Sequence, residues 1–411
     1  MAHDHEDMVR RSAAVETVRE LRRAALSRVG TESVGLDALS GRVLATAVVA
    51  ERDVPAADHA TMDGYAFDAT DEYPLSVRED EVFPEDEPPS LGAGEAVEIA
   101  TGAPLPPEAN AVLKREEATV DEDGRLEGAA VEPGTYTYTR GSNVSAGETL
   151  FEAGERLSAK DAILLGDLGH DEVPVAERFS VGILATGTEI HEGRREDLDS
   201  AMLAALVRSW GHEPTYEGTV PDDYEAVEAA IADLADRYDV VLTTGGTSVG
   251  HKDYVIRALG ELGTVHFHRV RVRPGKPIAA ATVGGGAGNG GDEAVAFAIP
   301  GKPLGAHTIT TLVARPFFTG IESLPTVEAT MGSAVDLGPE GFEYAVPVLL
   351  EDGTAVPLGH ADSPLHVYDR QFDPSVLSST TRATRADGFV LTESALAADE
   401  PVAVVPYTAI E

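Results

Sequence analysis

The stretch Asp239–Asp253, DVVLTTGGTSVGHKD, decides how this chain is read. Its first part, Asp239–Thr244, spells a strand of the kind buried on both faces, and Asp253 opens a helix. Between them lies a glycine-rich turn. In open α/β sheets, ligands bind at this carboxyl edge. Gly245, Gly246 and Gly250 let backbone amides approach a ligand closely, and a helix start favours an anion. A merely tight strand-to-helix turn needs one glycine, not three. A nucleotide P-loop is excluded, because His251 follows Gly250 where that loop carries lysine.

Working outward, strand and helix patterns alternate: Phe179–Leu184, helix Asp199–Trp210, Thr215–Val220, helix Asp222–Arg237, then the stretch above and helix Asp253–Leu262. Such alternation predicts a mostly parallel sheet covered by helices. Three further β-like runs, Val265–Val272, Pro277–Val283 and Ala294–Ile299, precede a helix near Leu304–Phe318, and Gly284–Gly291 reads as a connection between two strands. Upstream, apolar spacing predicts a helix over Val9 to Val29, stopped by Gly30. Short β-type runs follow, among them Arg42–Ala50, Ala96–Ala100 and Ala111–Lys114. A helix returns at Ser158–Leu168, with Ser158 and Asp161 as its start signal and Gly169 as its stop. Downstream, Tyr344–Leu350, Phe389–Thr392 and Val402–Tyr407 read as strands. The expected fold is therefore multidomain α/β plus β, with a central α/β domain at 178–323, a β-rich insert at 46–139, a C-terminal all-β domain at 324–411, and a discontinuous N-terminal domain at 1–45 and 140–177.

The chain has 411 residues, enough for roughly two to four domains. No apolar run is long enough to cross a bilayer, and the first ten residues lack a secretory core, so a cytoplasmic protein without membrane contact is expected. Zero cysteines exclude thiolate nucleophiles and thiolate metal sites, leaving any sulfur chemistry to a ligand. Acids number 71 against 31 Lys plus Arg, a formal charge of −40. Their spread over most of the chain reads as a halophilic solvent adaptation, and no nucleic-acid partner is expected.

Against that background, residues 262–291 contain no acid at all. Within them Arg269, Arg271 and Arg273 share a face if the segment is a strand, and Lys276 follows in a rigid PGKP turn. That face suits an oxyanion such as molybdate or phosphate. His266 and His268 lack a third ligand and do not make a zinc site. Carboxylates stand elsewhere at turns and strand ends: Asp63 in DHATMDGYA, Glu189 in ATGTEI, and Asp199 and Asp253 at helix starts. Gathered around a bound phosphate, they would hold Mg²⁺, which prefers oxygen ligands and retained water.

Taken in order, MDGYA at Met62–Ala66, TGAPLP at Thr101–Pro106, TGTE at Thr186–Glu189, GGTSVGHKDY at Gly245–Tyr254, RPGKP at Arg273–Pro277 and PGKP at Pro300–Pro303 resemble the MoeA family, the molybdopterin molybdenumtransferases that include the gephyrin E domain. The resemblance spans nearly the whole chain. It implies an α/β domain of the molybdopterin-binding type and an elongated homodimer in which Asp63 serves the partner's α/β domain. It implies an enzyme of molybdenum cofactor biosynthesis that inserts molybdenum from molybdate into adenylylated molybdopterin, with Mg²⁺ assisting and AMP released. It also implies contact with the preceding adenylyltransferase and with recipient molybdoenzymes.

By the same resemblance, Gly245, Gly246, Ser248 and Gly250 would cradle the pterin phosphate. Arg273 and Lys276 would hold molybdate or phosphate, and Pro300, Gly301 and Lys302 would line the substrate site. Asp63, Glu189, Asp199 and Asp253 would orient Mg²⁺ and water. The chain departs from the family's pattern at Asp199-Ser200-Ala201, where an amide usually ends the triplet, and at Lys302, where an amide is also usual. It departs too at Ser142-Asn143 and at Thr188, positions usually acidic. Two rival readings stand beside this one: a molybdopterin adenylyltransferase, and a non-catalytic paralogue that carries the cofactor or scaffolds its assembly.

Overall fold

The computed structural model describes residues 8–246, 253–284 and 293–411. The proposed ligand residues Ser248 and Gly250, His251 and the glycine-rich connection after Gly284 lie outside the described residues. The chain divides into two compact units, Met1–Glu32 with Ala176–Glu411, and Ser33–Val175.

In the first unit, six strands form one sheet in the order Glu213–Val220, Ser180–Thr186, Val240–Thr244, Glu293–Ile299, Ala279–Gly284 and Gly263–His268. The first four run parallel. Every residue of Val240–Thr244 is buried, as a central strand covered on both faces requires. Alternate side chains serve the two faces: Val240 and Leu242 pack with Leu203, Leu206 and Val207 of the helix Asp199–Ser209, whereas Val241 packs with Val227, Ile231, Val255 and Leu259 of the helices Tyr224–Ala235 and Tyr254–Leu262.

The sheet is mostly parallel as expected, with Ala279–Gly284 running antiparallel to both of its neighbours at the far edge. One expectation fails there: the run Val265–Val272 is not one strand, because it ends at His268 and Arg269 turns the backbone to φ 74°. Beyond that turn, Val272–Arg273 pairs in parallel with Glu343 and Tyr344. The three arginines therefore do not share a face: Arg271 lines a small cavity with Arg10, Arg11 and Glu343, and Arg273 lines a different one.

Five further strands, Glu343–Glu351, Thr354–Pro357, Val327–Met331, Pro401–Pro406 and Gly388–Thr392, pair in that order, and the last pairs back onto the first. The ring closes on itself, which removes free edges. The helix expected near Leu304–Phe318 runs as Pro303–Ile309, a π turn at Thr310–Ala314 and Arg315–Thr319, ending at Gly320 with φ 72°.

The first helix, Arg11–Leu26, buries Ala14, Val15, Val18, Leu21 and Ala25 as its spacing predicts. It stops at Leu26, with the Ser27 amide donating to the Arg23 carbonyl, so Gly30 is not its terminator.

The second unit holds a six-stranded sheet ordered Ala111–Lys114, Gly64–Phe67, Glu95–Ile99, Leu75–Val82, Arg125–Gly128, Ala118–Val120. Its short helix Asp161–Asp167 begins where the Asp161 carboxylate accepts both the amide and the hydroxyl of Ser158, at 2.7 and 2.8 Å, and Gly169 follows its end at φ 92°.

Candidate functional site

The carboxyl ends of three neighbouring parallel strands converge at Thr186, Thr244 and Ile299. The Thr186 hydroxyl donates to the Thr244 carbonyl at 3.3 Å, and the Gly245 amide donates to the Ile299 carbonyl at 3.1 Å. Two glycines are dictated by this crowding. Gly245 has φ 87°, and a Cβ there would stand 2.4 Å from the Thr186 carbonyl oxygen. Gly301 approaches so closely that its Cβ would lie 3.0 Å from the Cα of Gly245.

Above this edge opens a cavity of about 340 Å³, lined by Glu189, Glu196, Asp199, Asp222, Gly245, Gly246, Gly301 and Arg195 among others. Asp199 sits at the start of its helix but does not cap it. That task falls to Asp197, whose carboxylate accepts the amides of Asp199 and Ser200 at 3.1 Å each. The Asp199 side chain is thereby left for the cavity. Its Oδ2 accepts the Thr244 hydroxyl at 3.3 Å, and its buried Oδ1 has no partner. Burial pushes its pKa up to about 6, with the Asp197 charge adding to the effect. An unpartnered oxygen in a lining where four acids face Arg195 and Lys302 fits a bound cation. Thr188 and Asp222 brace each other, the Thr188 amide donating to the Asp222 carboxylate and the Asp222 amide to the Thr188 hydroxyl.

A second cavity of about 300 Å³ is lined by Arg273, Lys276, Lys302, Ser375 and Ser378, with no acid among the described residues that line it. The Arg273 guanidinium lies 4.2 Å over the Phe342 ring, and Lys302 Nζ donates to the Ser375 carbonyl at 3.2 Å. Gly275, at φ 109°, lets the PGKP turn pass against Ile309. The two cavities share Pro277, Pro300 and Lys302 as a common wall.

The four carboxylates expected around Mg²⁺ are not gathered as a set. Glu189 and Asp199 line one cavity, but Asp253 is not among the residues lining it. Asp253 lies 3.8 Å from His268 Nε2, and burial raises its pKa; burial lowers that of His268 to about 4, helped by Arg269 and Lys276. Asp63 belongs to the second unit, where the Thr101 amide and hydroxyl each donate to it at 2.7 Å and hold it below the usual carboxylate range. Among the described residues, no group of three or more His, Asp or Glu could by itself hold a metal ion.

Ala201 is exposed and lines neither cavity, whereas Lys302 lines both. Asn143 donates to Asp167 at 3.2 Å within the second unit. Sequence reasoning missed Asp197, Asp222 and Arg195. Asp222 carried a usable signal, standing just after a strand end as Glu189 does.

A carboxylate cavity and a cationic cavity lie side by side at the sheet's carboxyl edge, the first offering oxygens and the second guanidinium and ammonium groups. Residues 12–169 match the MoeA N-terminal region (domain I and II), and residues 182–320 match the probable molybdopterin binding domain. A molybdopterin molybdenumtransferase from Nostoc sp. is 33% identical over 272 residues, 62% of each chain, so this chain spans less than two thirds of that relative. Another from Synechococcus elongatus is 30% identical over 75% of this chain and 78% of its own. The crystal structure of a molybdopterin biosynthesis MoeA protein from Pyrococcus horikosii is similar with a TM-score of 0.71 at 29% identity, covering 97% of this chain and 99% of its own. The chain belongs to the MoeA family of molybdopterin molybdenumtransferases. No helix among the described residues is long and apolar enough to cross a membrane.

Proposed function

We propose that this chain inserts molybdenum from molybdate into adenylylated molybdopterin and releases AMP, with molybdate held in the cationic cavity and the nucleotide-bearing substrate in the carboxylate cavity beside it. The observation that carries this reading is the shared wall of Pro277, Pro300 and Lys302 between two cavities of opposite charge. Arg273 and Lys276 would neutralise the oxyanion through charge-assisted hydrogen bonds. Gly245 and Gly246, with Ser248 and Gly250, would offer backbone approach to the substrate's phosphate, and Pro300 and Gly301 would shape the floor.

Asp199 and Glu189 would hold Mg²⁺, Asp222 standing in the same cavity, and Asp253 and Asp63 would orient water and phosphate. Bound Mg²⁺ would draw charge from the phosphate oxygens as the adenylate bond breaks. Two carboxylates suffice for such a site, because Mg²⁺ keeps waters and substrate oxygens in its shell. Asp63 would act from the partner of a homodimer. The four-part division at 1–45 with 140–177, 46–139, 178–323 and 324–411 belongs to the same reading, as do a cytoplasmic setting and contacts with the adenylyltransferase and the recipient molybdoenzymes. Of the two substitutions that favour a carrier or scaffold role, Ala201 lines neither cavity, and only Lys302 bears on the site.

The test is turnover of purified adenylylated molybdopterin by the full chain. AMP release should require both molybdate and Mg²⁺. Release undiminished by a chelator would remove the carboxylates from metal binding, and ligand binding without any AMP release would establish the carrier instead.

A further inference from the structure

Lys302 occupies an unusual place, for it belongs to the walls of both cavities. It is exposed, and it precedes the helix Pro303–Ile309 in extended backbone, φ −122° and ψ 117°. Its ammonium rests on the Ser375 carbonyl at 3.2 Å. That contact is a hydrogen bond to a neutral acceptor, and a lysine ammonium carries three donors on a flexible four-carbon stem. Arg273 and Lys276 line only the cationic cavity, and Arg195 lines only the carboxylate one, so among the described residues Lys302 is the one cation common to both linings.

Two anions bound in adjoining cavities repel each other, and the low dielectric of a partly enclosed site strengthens that repulsion. A cation placed in the dividing wall offsets it for both ligands at once. It lowers the cost of having them together more than the cost of having either alone. In thermodynamic terms such a residue contributes to the coupling between two ligands, and the coupling is reciprocal.

We propose that Lys302 couples the two ligands, its ammonium shared between the oxyanion and the nucleotide phosphate so that their joint occupancy is favourable. This rests on the functional reading above. The Ser375 carbonyl holds the ammonium at the wall before the ligands arrive. Lys302 then donates to oxygens on both sides while Arg273 and Lys276 hold the oxyanion from within its own cavity.

The experiment is calorimetric titration of the full chain with molybdate, with and without saturating AMP, in the presence of Mg²⁺. The readout is the ratio of the two molybdate dissociation constants. In Lys302→Gln the stem and a donor remain but the charge is gone, and the ratio should shift by about tenfold against joint binding. Lys302→Arg should keep the wild-type ratio. A purely structural role would lower the melting temperature and weaken both ligands alike, leaving the ratio unchanged. An unchanged ratio in Lys302→Gln overturns this inference while the functional reading stands. Failure of the wild type to bind either molybdate or AMP overturns the functional reading as well.

Discussion

At the scale of single residues, Asp199 is set apart by the division of labour at its helix start. Asp197 accepts the helix amides, so Asp199 keeps an oxygen without a partner at the cost of burying a charge. Asp199→Asn preserves shape and a partner for Thr244 while removing that charge. AMP release should fall by about a hundredfold or more, the scale on which loss of a charge-stabilising group acts. Folding stability should hold or rise by about 1 kcal/mol, because an unpaired buried charge is costly. Measuring turnover and melting temperature on the same preparation decides it, and a parallel loss of both would mean that Asp199 is structural. Lys276→Ala makes the matching case in the other cavity. Losing one charge-assisted contact costs about 1.5–3 kcal/mol, so half-saturation by molybdate should rise roughly ten- to a hundredfold. An unchanged molybdate titration would remove Lys276 from the oxyanion site.

At the scale of elements, the parallel core was legible because hydrophobic runs and helix starts agree with one another. Val240 to Thr244 read as doubly buried, and all five residues are. Ser158 and Asp161 read as a helix start, and the two side chains meet. The edge was less legible: Arg269 breaks the strand with a positive φ that its residue type does not announce, and Val272–Arg273 then joins another sheet. Long-range pairing of that kind leaves no local periodicity. The same limit hid the partition of carboxylates, since Asp197 and Asp199 differ in role only through the geometry of one helix turn.

The Ser158–Asp161 start also gives a pH test. Burial opposes ionisation of Asp161, but hydrogen bonds from Lys160 and Ser158 outweigh it and hold the carboxyl below its ordinary range. A depressed carboxyl stabilises the fold above its unfolded pKa, and that stability is lost as pH falls through the lower folded value. Asp161→Asn should therefore cost about 1 kcal/mol at neutral pH, and the difference from wild type should close on acidification below the usual carboxylate range. Denaturant titrations at neutral and acid pH measure it. A gap that persists undiminished in acid would assign Asp161's contribution to shape and not to charge.

At the scale of the whole molecule, a formal charge of −40 acts on both stability and ligand capture. Self-repulsion among acids spread over the surface opposes compactness, and salt relieves it, since the Debye length falls from about 10 Å at 0.1 M to about 3 Å at 1 M. The surrounding acids also repel molybdate on its way in, so the acid-free lining of the cationic cavity has to supply a local attraction against a negative field. Salt therefore acts on binding in two opposed ways. It weakens the long-range repulsion outside the cavity, and it weakens the short-range attraction less, because partly buried charges are screened less than exposed ones. Stability and molybdate affinity should consequently improve together between dilute buffer and molar potassium chloride. The melting temperature should rise by on the order of 10 °C, equivalent to about 9 kcal/mol if the 411-residue chain unfolds as one unit. Scanning calorimetry at each salt concentration, with molybdate titrations alongside, tests both halves. A melting temperature that does not move would show that the surface acids are already balanced by bound counter-ions or by neighbouring bases. Affinity that falls steeply with salt while stability rises would show that the cationic cavity is open to the bulk electrolyte.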